Sequence, residues 1–191
     1  MSMNNKELIE RYPFLLPRNR WTGETVKDYD YSYTELDAMP YGWRKAFGER
    51  MCEEICTALI EADYLDKYRI SQIKEKYGTL RWYDFGAPQS VHDIISKYEY
   101  ISQFICMICG NPYARLINNN GWLYTICENC ASEEFDISRL DWVDATDSFE
   151  QIKKSVIIEE FGSEKRIREI PIWDTWCEIL EDYLSDKYKE E

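Results

Sequence analysis

Residues 106–130 read CMICGNPYARLINNNGWLYTICENC. Two Cys-x2-Cys pairs, Cys106 with Cys109 and Cys127 with Cys130, stand seventeen residues apart. That separation lies within the C-x2-C-x15–20-C-x2-C pattern of structural zinc sites. Each pair places two sulfurs on one side of a tight turn, and Gly110 after the second cysteine supplies the backbone freedom such a knuckle needs. YARLI (113–117) and WLYTI (122–126) have strand composition, and NNNG (118–121) tolerates positive φ, so a hairpin returns the second pair to the first.

Thiol exchange needs one reactive pair rather than two matched ones. An iron–sulfur cluster takes four thiolates, but paired knuckles around a hairpin favour tetrahedral zinc. Four thiolates close the coordination shell and leave no place for water or substrate, so the metal's task is structural. Downstream, CENCASEEF has the acidic residues that suit a first helical turn. A helix there makes the arrangement treble-clef-like; an extended chain makes it zinc-ribbon-like.

Helical spacing of apolar residues extends the reading outward. Val91, Ile94, Ile95, Tyr98, Ile101 and Ile105 form the stripe of a helix opening near Ser90 as N-cap and running into Cys106. Trp43, Ala46, Phe47, Met51, Ile55, Ala58, Leu59 and Ala62 mark another helix over residues 43–62. Cys52 and Cys56 flank that stripe without a second ligand pair, which identifies them as buried, inert thiols. Between the two helices, TLRWYDF (79–85) is a strand, and Gly78 turns it back on residues 70–77 as a hairpin. Residues 6–12 give one or two helical turns before Pro13, and residues 18–43 form an ordered, aromatic-rich loop, since disordered segments are poor in aromatics. The expected fold is therefore α+β, with helices packed on a small antiparallel sheet and an embedded four-cysteine finger at 104–133.

The chain of 191 residues is 45% hydrophobic and 15% aromatic, enough for a substantial core. Its charge of −13 is uneven. Residues 1–130 hold 15 basic and 18 acidic side chains, against 8 and 18 in residues 131–191, giving −3 and −10. The division predicts a body over 1–131 and an acidic, mainly helical subdomain over 132–191, with helices within 148–162 and 170–188. Such a field disfavours nucleic acid and suits a basic protein partner. No stretch is long and apolar enough to span a membrane. The N-terminus lacks the pattern of a secretion signal. With an odd seven cysteines, these features predict a reducing cytoplasm.

QIKEKYGTLRWY (72–83), a helix, then CMICG (106–110) and GWLYTICENCA (121–131) resemble a group of uncharacterised phage and bacterial proteins. That group carries a VKEKFGxLRFY-like stretch, a helix, a CxxCG knuckle and a GW…T.C..H or C..C ending. RYPFLL (11–16) and YGWRKAF (41–47) also sit where the group has a P-L segment and a GW. The likeness covers roughly residues 10–131 and finds no counterpart for 132–191. It implies phage or prophage origin, hence a host cytoplasm, and a zinc site in which Cys130 replaces a frequent histidine. It implies no activity.

Catalytic constellations are sparse. His92 is the single histidine, near a helix start, where a surface or capping role fits better than catalysis. Neither a GxxxxGK[ST] nor a GxGxxG motif occurs. Asp141, Asp144, Asp147 and Glu150 share one face at helical spacing and could hold a divalent ion, though acidic chains commonly show such solvated faces. Lys74, Lys76 and Arg81 beside Trp82 and Tyr83 offer the mixture that stacks bases and holds phosphates; a Glu75–Arg81 cross-strand pair accounts for the same residues without a ligand. The sequence thus predicts a non-enzymatic, zinc-stabilised interaction protein that binds a host macromolecule, most plausibly a protein. A nucleic-acid-binding finger using the 72–83 hairpin, and an enzyme with a carboxylate-held metal, are the alternatives.

Overall fold

The computed structural model describes residues 4–19, 21–111 and 114–142. Its architecture is α+β, with helices set against small antiparallel sheets. Two apolar cores meet at one peptide bond: Ile105 closes the first and Cys106 opens the second.

Helix α1 (Asn5–Arg11) starts at a capping box in which Asn4 accepts from the Glu7 amide and Glu7 accepts from the Asn4 amide. The aromatic loop that follows is held by its own polar groups. Arg18 bridges to Thr25, and Asn19 Oδ1 accepts from the amides of Trp21 and Thr22. A capped 3-10 turn, Glu35–Ala38, leads to α2 (Tyr41–Trp43), a π turn (Arg44–Gly48) and α3 (Glu49–Glu61) in one continuous helical path. Phe47, Met51, Cys52, Ile55, Cys56 and Leu59 are buried along it. Ala62, assigned by spacing to the same stripe, is exposed because the helix has already reached its C-cap there. Burial pushes the thiols of Cys52 and Cys56 upward, the behaviour of inert core cysteines.

Strands β1 (Ile70–Lys76) and β2 (Thr79–Asp84) form the predicted hairpin. Tyr77 and Gly78 turn it with φ of +57° and +75°, the two left-handed positions of a two-residue turn. The register sets Lys74 opposite Arg81 and Glu75 opposite Leu80. The Glu75–Arg81 pair expected from the sequence is therefore not formed, since adjacent strand positions face opposite sides. Glu75 instead accepts the Gly78 amide at 2.6 Å and caps the turn.

Helix α4 (Gln89–Ile101) begins after Pro88, two residues earlier than a Ser90 cap requires, and no side chain caps it. Val91, Ile95, Tyr98 and Ile101 are buried as spaced. Beyond its last turn, Ser102 Oγ accepts from Leu80 N at 2.9 Å, and Glu99 accepts from Trp82 N at 2.8 Å. Two side chains thereby satisfy the outer edge of β2, where a second chain would otherwise pair.

The second core is built by β3 (Arg115–Asn119), β4 (Trp122–Ile126), α5 (Glu128–Glu134) and β5 (Asp141–Trp142), in sheet order β4-β3-β5. Asn120 and Gly121 turn the β3–β4 hairpin at φ of +53° and +89°. The helix expected at CENCASEEF forms and stops at Glu134, where Phe135 becomes extended and packs its ring 5.3 Å from Tyr124. Leu140 and Trp142 remain with this core, so the finger's packing runs past residue 133. The expected helices within 148–162 and 170–188, the carboxylates Asp144, Asp147 and Glu150, and residues 143–191 of the 132–191 subdomain lie outside the described residues; Asp141 is in β5. Among the described residues no helix is long and apolar enough to cross a membrane.

Candidate metal centre

Cys106 and Cys109 lie on a tight turn in which Gly110 N returns to Cys106 O at 2.9 Å. Cys127 is the residue that caps α5, and Cys130 occupies its first turn. The β3–β4 hairpin brings these two ends together, and the four sulfurs lie within 4.8 Å of one another. Cys109 and Cys127 Sγ are 3.7 Å apart, and all four thiols are free, so no cystine joins them. A zinc ion with four sulfurs at about 2.3 Å in tetrahedral array needs sulfur separations of roughly 3.7–3.8 Å. Spacing and donor type both fit.

The electrostatics point the same way. Burial opposes ionisation of Cys106, but amides of Cys109, Cys127 and Ile108 outweigh it and lower that thiol. Burial and then the neighbouring cysteines raise Cys130, and burial raises Cys127. One thiolate is pre-stabilised by backbone dipoles, while further negative charge is disfavoured without a cation to balance it.

The knuckle is seated on the first core by backbone contact. Gly42 N donates to Met107 O at 2.9 Å, and Trp43 Nε1 donates to Ile105 O at 2.6 Å. A Cβ on Gly42 would lie 2.6 Å from Gly110 N and 2.7 Å from the Met107 carbonyl carbon, and closer still to Cys106 O. On the other side, Met107 N donates to Thr125 O at 2.9 Å and Thr125 Oγ1 donates to Gly78 O at 2.6 Å. The β1–β2 and β3–β4 hairpins therefore meet at Thr125. In the sequence, the order GW, YG, CxxCG, T-x-C is the signal that these segments touch.

The proposed binding surface is divided by the fold. Arg81 and Trp82 are each 4% exposed. Arg81 Nη1 donates to its neighbour's carbonyl, Leu80 O, at 2.8 Å, and Trp82 Nε1 donates to Tyr68 Oη at 2.8 Å. Lys74 lies over the Tyr83 ring at 5.2 Å and Lys76 over the Tyr77 ring at 5.1 Å, all more accessible. His92 is on the surface with Nε2 3.8 Å from Asp84.

Comparison with protein-family models, curated proteins and solved structures gave no match.

Proposed function

We propose that Cys106, Cys109, Cys127 and Cys130 hold one structural zinc ion in a treble-clef-like finger. On this reading the knuckle is residues 106–110, the hairpin is β3–β4, and α5 carries the last ligand in its first turn. The observation that carries it is the convergence of four free thiols within 4.8 Å. Zinc here supplies cross-linking and charge balance, and its binding energy is folding energy for residues 106–142, roughly 10–16 kcal/mol in isolated zinc-finger peptides. With all four positions taken by sulfur the ion has no role in turnover.

The molecule built around that ion acts by binding, with a host protein as partner and phage or prophage as its source. Supporting this are aromatic side chains set on firm turns, Trp21 at 93% exposure on the Asn19-capped loop and Trp122 at 73% beside the Asn120–Gly121 turn. Large exposed aromatics are the usual anchors of protein interfaces. Nucleic acid is the weaker reading, because base stacking by Trp82 or phosphate contact by Arg81 requires opening a closed hairpin face. Native mass spectrometry of the purified chain should give one zinc. Affinity capture from host lysate should then give a stoichiometric partner that Trp122→Ala loses. A chain without zinc, or capture indifferent to both exposed tryptophans, contradicts the proposal.

A further inference from the structure

The four cysteines of the metal centre are unequally covered. Cys106, Cys127 and Cys130 are buried, whereas Cys109 is half-buried. Oxidation of cysteine follows thiolate character and access, so a thiolate cluster is attacked at its most accessible member. Cys109 is the second cysteine of the knuckle, and its Sγ lies 3.7 Å from that of Cys127, the residue that caps α5. Closing that gap to a disulfide bond of about 2.05 Å takes less than ~2 Å of movement.

The other two cysteines are held more firmly. The Cys106 sulfur accepts from the amides of Cys109, Cys127 and Ile108. Its backbone is fixed on both sides, with Cys106 N donating to Asn111 O at 2.7 Å and Cys106 O accepting from Gly110 N at 2.9 Å. Cys130 sits within α5, where a helical backbone restricts the direction of its side chain. Cys127 precedes that helix with extended dihedrals, φ −81° and ψ 159°, at the joint between β4 and α5. The choice of partner also decides the consequence. A Cys106–Cys109 or Cys127–Cys130 bond would close one Cys-x2-Cys turn on itself and leave the hairpin ends unjoined. A Cys109–Cys127 bond ties the knuckle to the start of α5, the same two segments that the four thiols bring together.

Resting on the zinc reading above, we propose that hydrogen peroxide exchanges the zinc cross-link of this finger for a Cys109–Cys127 disulfide. The Cys109 thiolate attacks one peroxide oxygen; the O–O bond breaks and the departing hydroxide takes a proton. The Cys127 thiolate then attacks sulfur of the resulting sulfenic acid. The S–S bond forms, the S–O bond breaks, and a second hydroxide takes a proton. Two thiolates thereby lose two electrons, and one peroxide with two protons becomes two waters. Two sulfurs remain, too few for a closed four-coordinate site, so the ion leaves while the finger stays tied.

The test treats the full chain, purified with its zinc, with a small molar excess of hydrogen peroxide. A chromogenic chelator follows zinc release, and peptide mass spectrometry after alkylation of the remaining thiols locates the link. The expected result is one zinc released per chain and Cys109–Cys127 as the dominant disulfide, with Cys106 and Cys130 alkylated. Amides of β3 and β4 should keep at least ~10-fold more protection from hydrogen exchange than in the reduced chain stripped by chelator. Dithiothreitol with added zinc should restore the starting form. A disulfide within either Cys-x2-Cys pair, a link between copies, sulfinic acid at Cys109, retained zinc, or protection no better than in the stripped chain each overturns the exchange. The native chain decides the matter without any substitution at a ligand. A chain purified without zinc contradicts the metal assignment and the exchange together, whereas those products from a zinc-loaded chain contradict the exchange alone.

Discussion

Gly42 and Gly110 touch backbone to backbone: a Cβ on Gly110 would stand 2.8 Å from Gly42 O, and one on Gly42 would stand 2.6 Å from Gly110 N. Gly110 also holds φ of +84°, so it is constrained twice. The cysteine knuckle thus rests on the start of the long helical path, with no side chain between them.

Gly42→Ala should therefore push the knuckle off α2. The expected cost is about 3 kcal/mol, the upper range for overpacking against groups that cannot yield. Chemical denaturation would measure it, and zinc release to a chromogenic chelator should quicken in the same variant. Unchanged stability would mean that the knuckle is not seated as described.

A second prediction concerns the joint between hairpins. Thr125→Val keeps the shape of a fully buried residue but removes the donor to Gly78 O. Leaving that carbonyl without its partner should cost roughly 1–3 kcal/mol. Gly78→Ala should also destabilise, because its Cβ would meet Leu116 Cδ1 at 2.5 Å in a backbone already at φ +75°. A double-mutant cycle should show strong coupling between the two, and additivity would contradict the contact.

Acid sensitivity follows from Asp37. Burial opposes its ionisation, but the Thr34 amide, Arg44 and Asn5 outweigh that and hold the carboxyl below its ordinary value. A depressed carboxyl stabilises the fold fully above its unfolded value of about 3.9, and that share is lost as pH falls through the lower folded value. Asp37→Asn should lower stability at neutral pH and flatten the stability profile below about pH 4. A wild-type slope retained in the variant would remove Asp37 from the account.

The basic hairpin yields a fourth. Lys74→Ala together with Lys76→Ala should leave stability within about 0.5 kcal/mol for each surface change. Arg81→Ala should cost more, because its stem is packed and its Nη1 serves the Leu80 carbonyl. Denaturant midpoints of the variants decide this, and equal costs would show that Arg81 is a surface residue.

The cysteine spacing and the apolar stripes made much of this legible. Two Cys-x2-Cys pairs with Asn-Gly between strand-like arms determine a local hairpin, and the 3.6-residue repeats of 43–62 and 91–101 determine which faces are buried. The π turn at Arg44–Gly48 left no mark on that repeat. The misassigned Glu75–Arg81 pair has a simple cause: hairpin register depends on turn length, and a two-residue turn shifts the pairing by one position relative to the guess. The knuckle's docking was the hardest to see, because Gly42 and Gly110 are joined by backbone groups separated by 68 positions in the numbering, and pattern arguments read side chains.

X-ray absorption at the zinc edge of the purified chain tests the central claim most directly. Four sulfur neighbours at about 2.3 Å, with no lighter scatterer, are predicted for a closed four-thiolate site. An oxygen or nitrogen neighbour at about 2.0–2.1 Å, or fewer than four sulfurs, would contradict it.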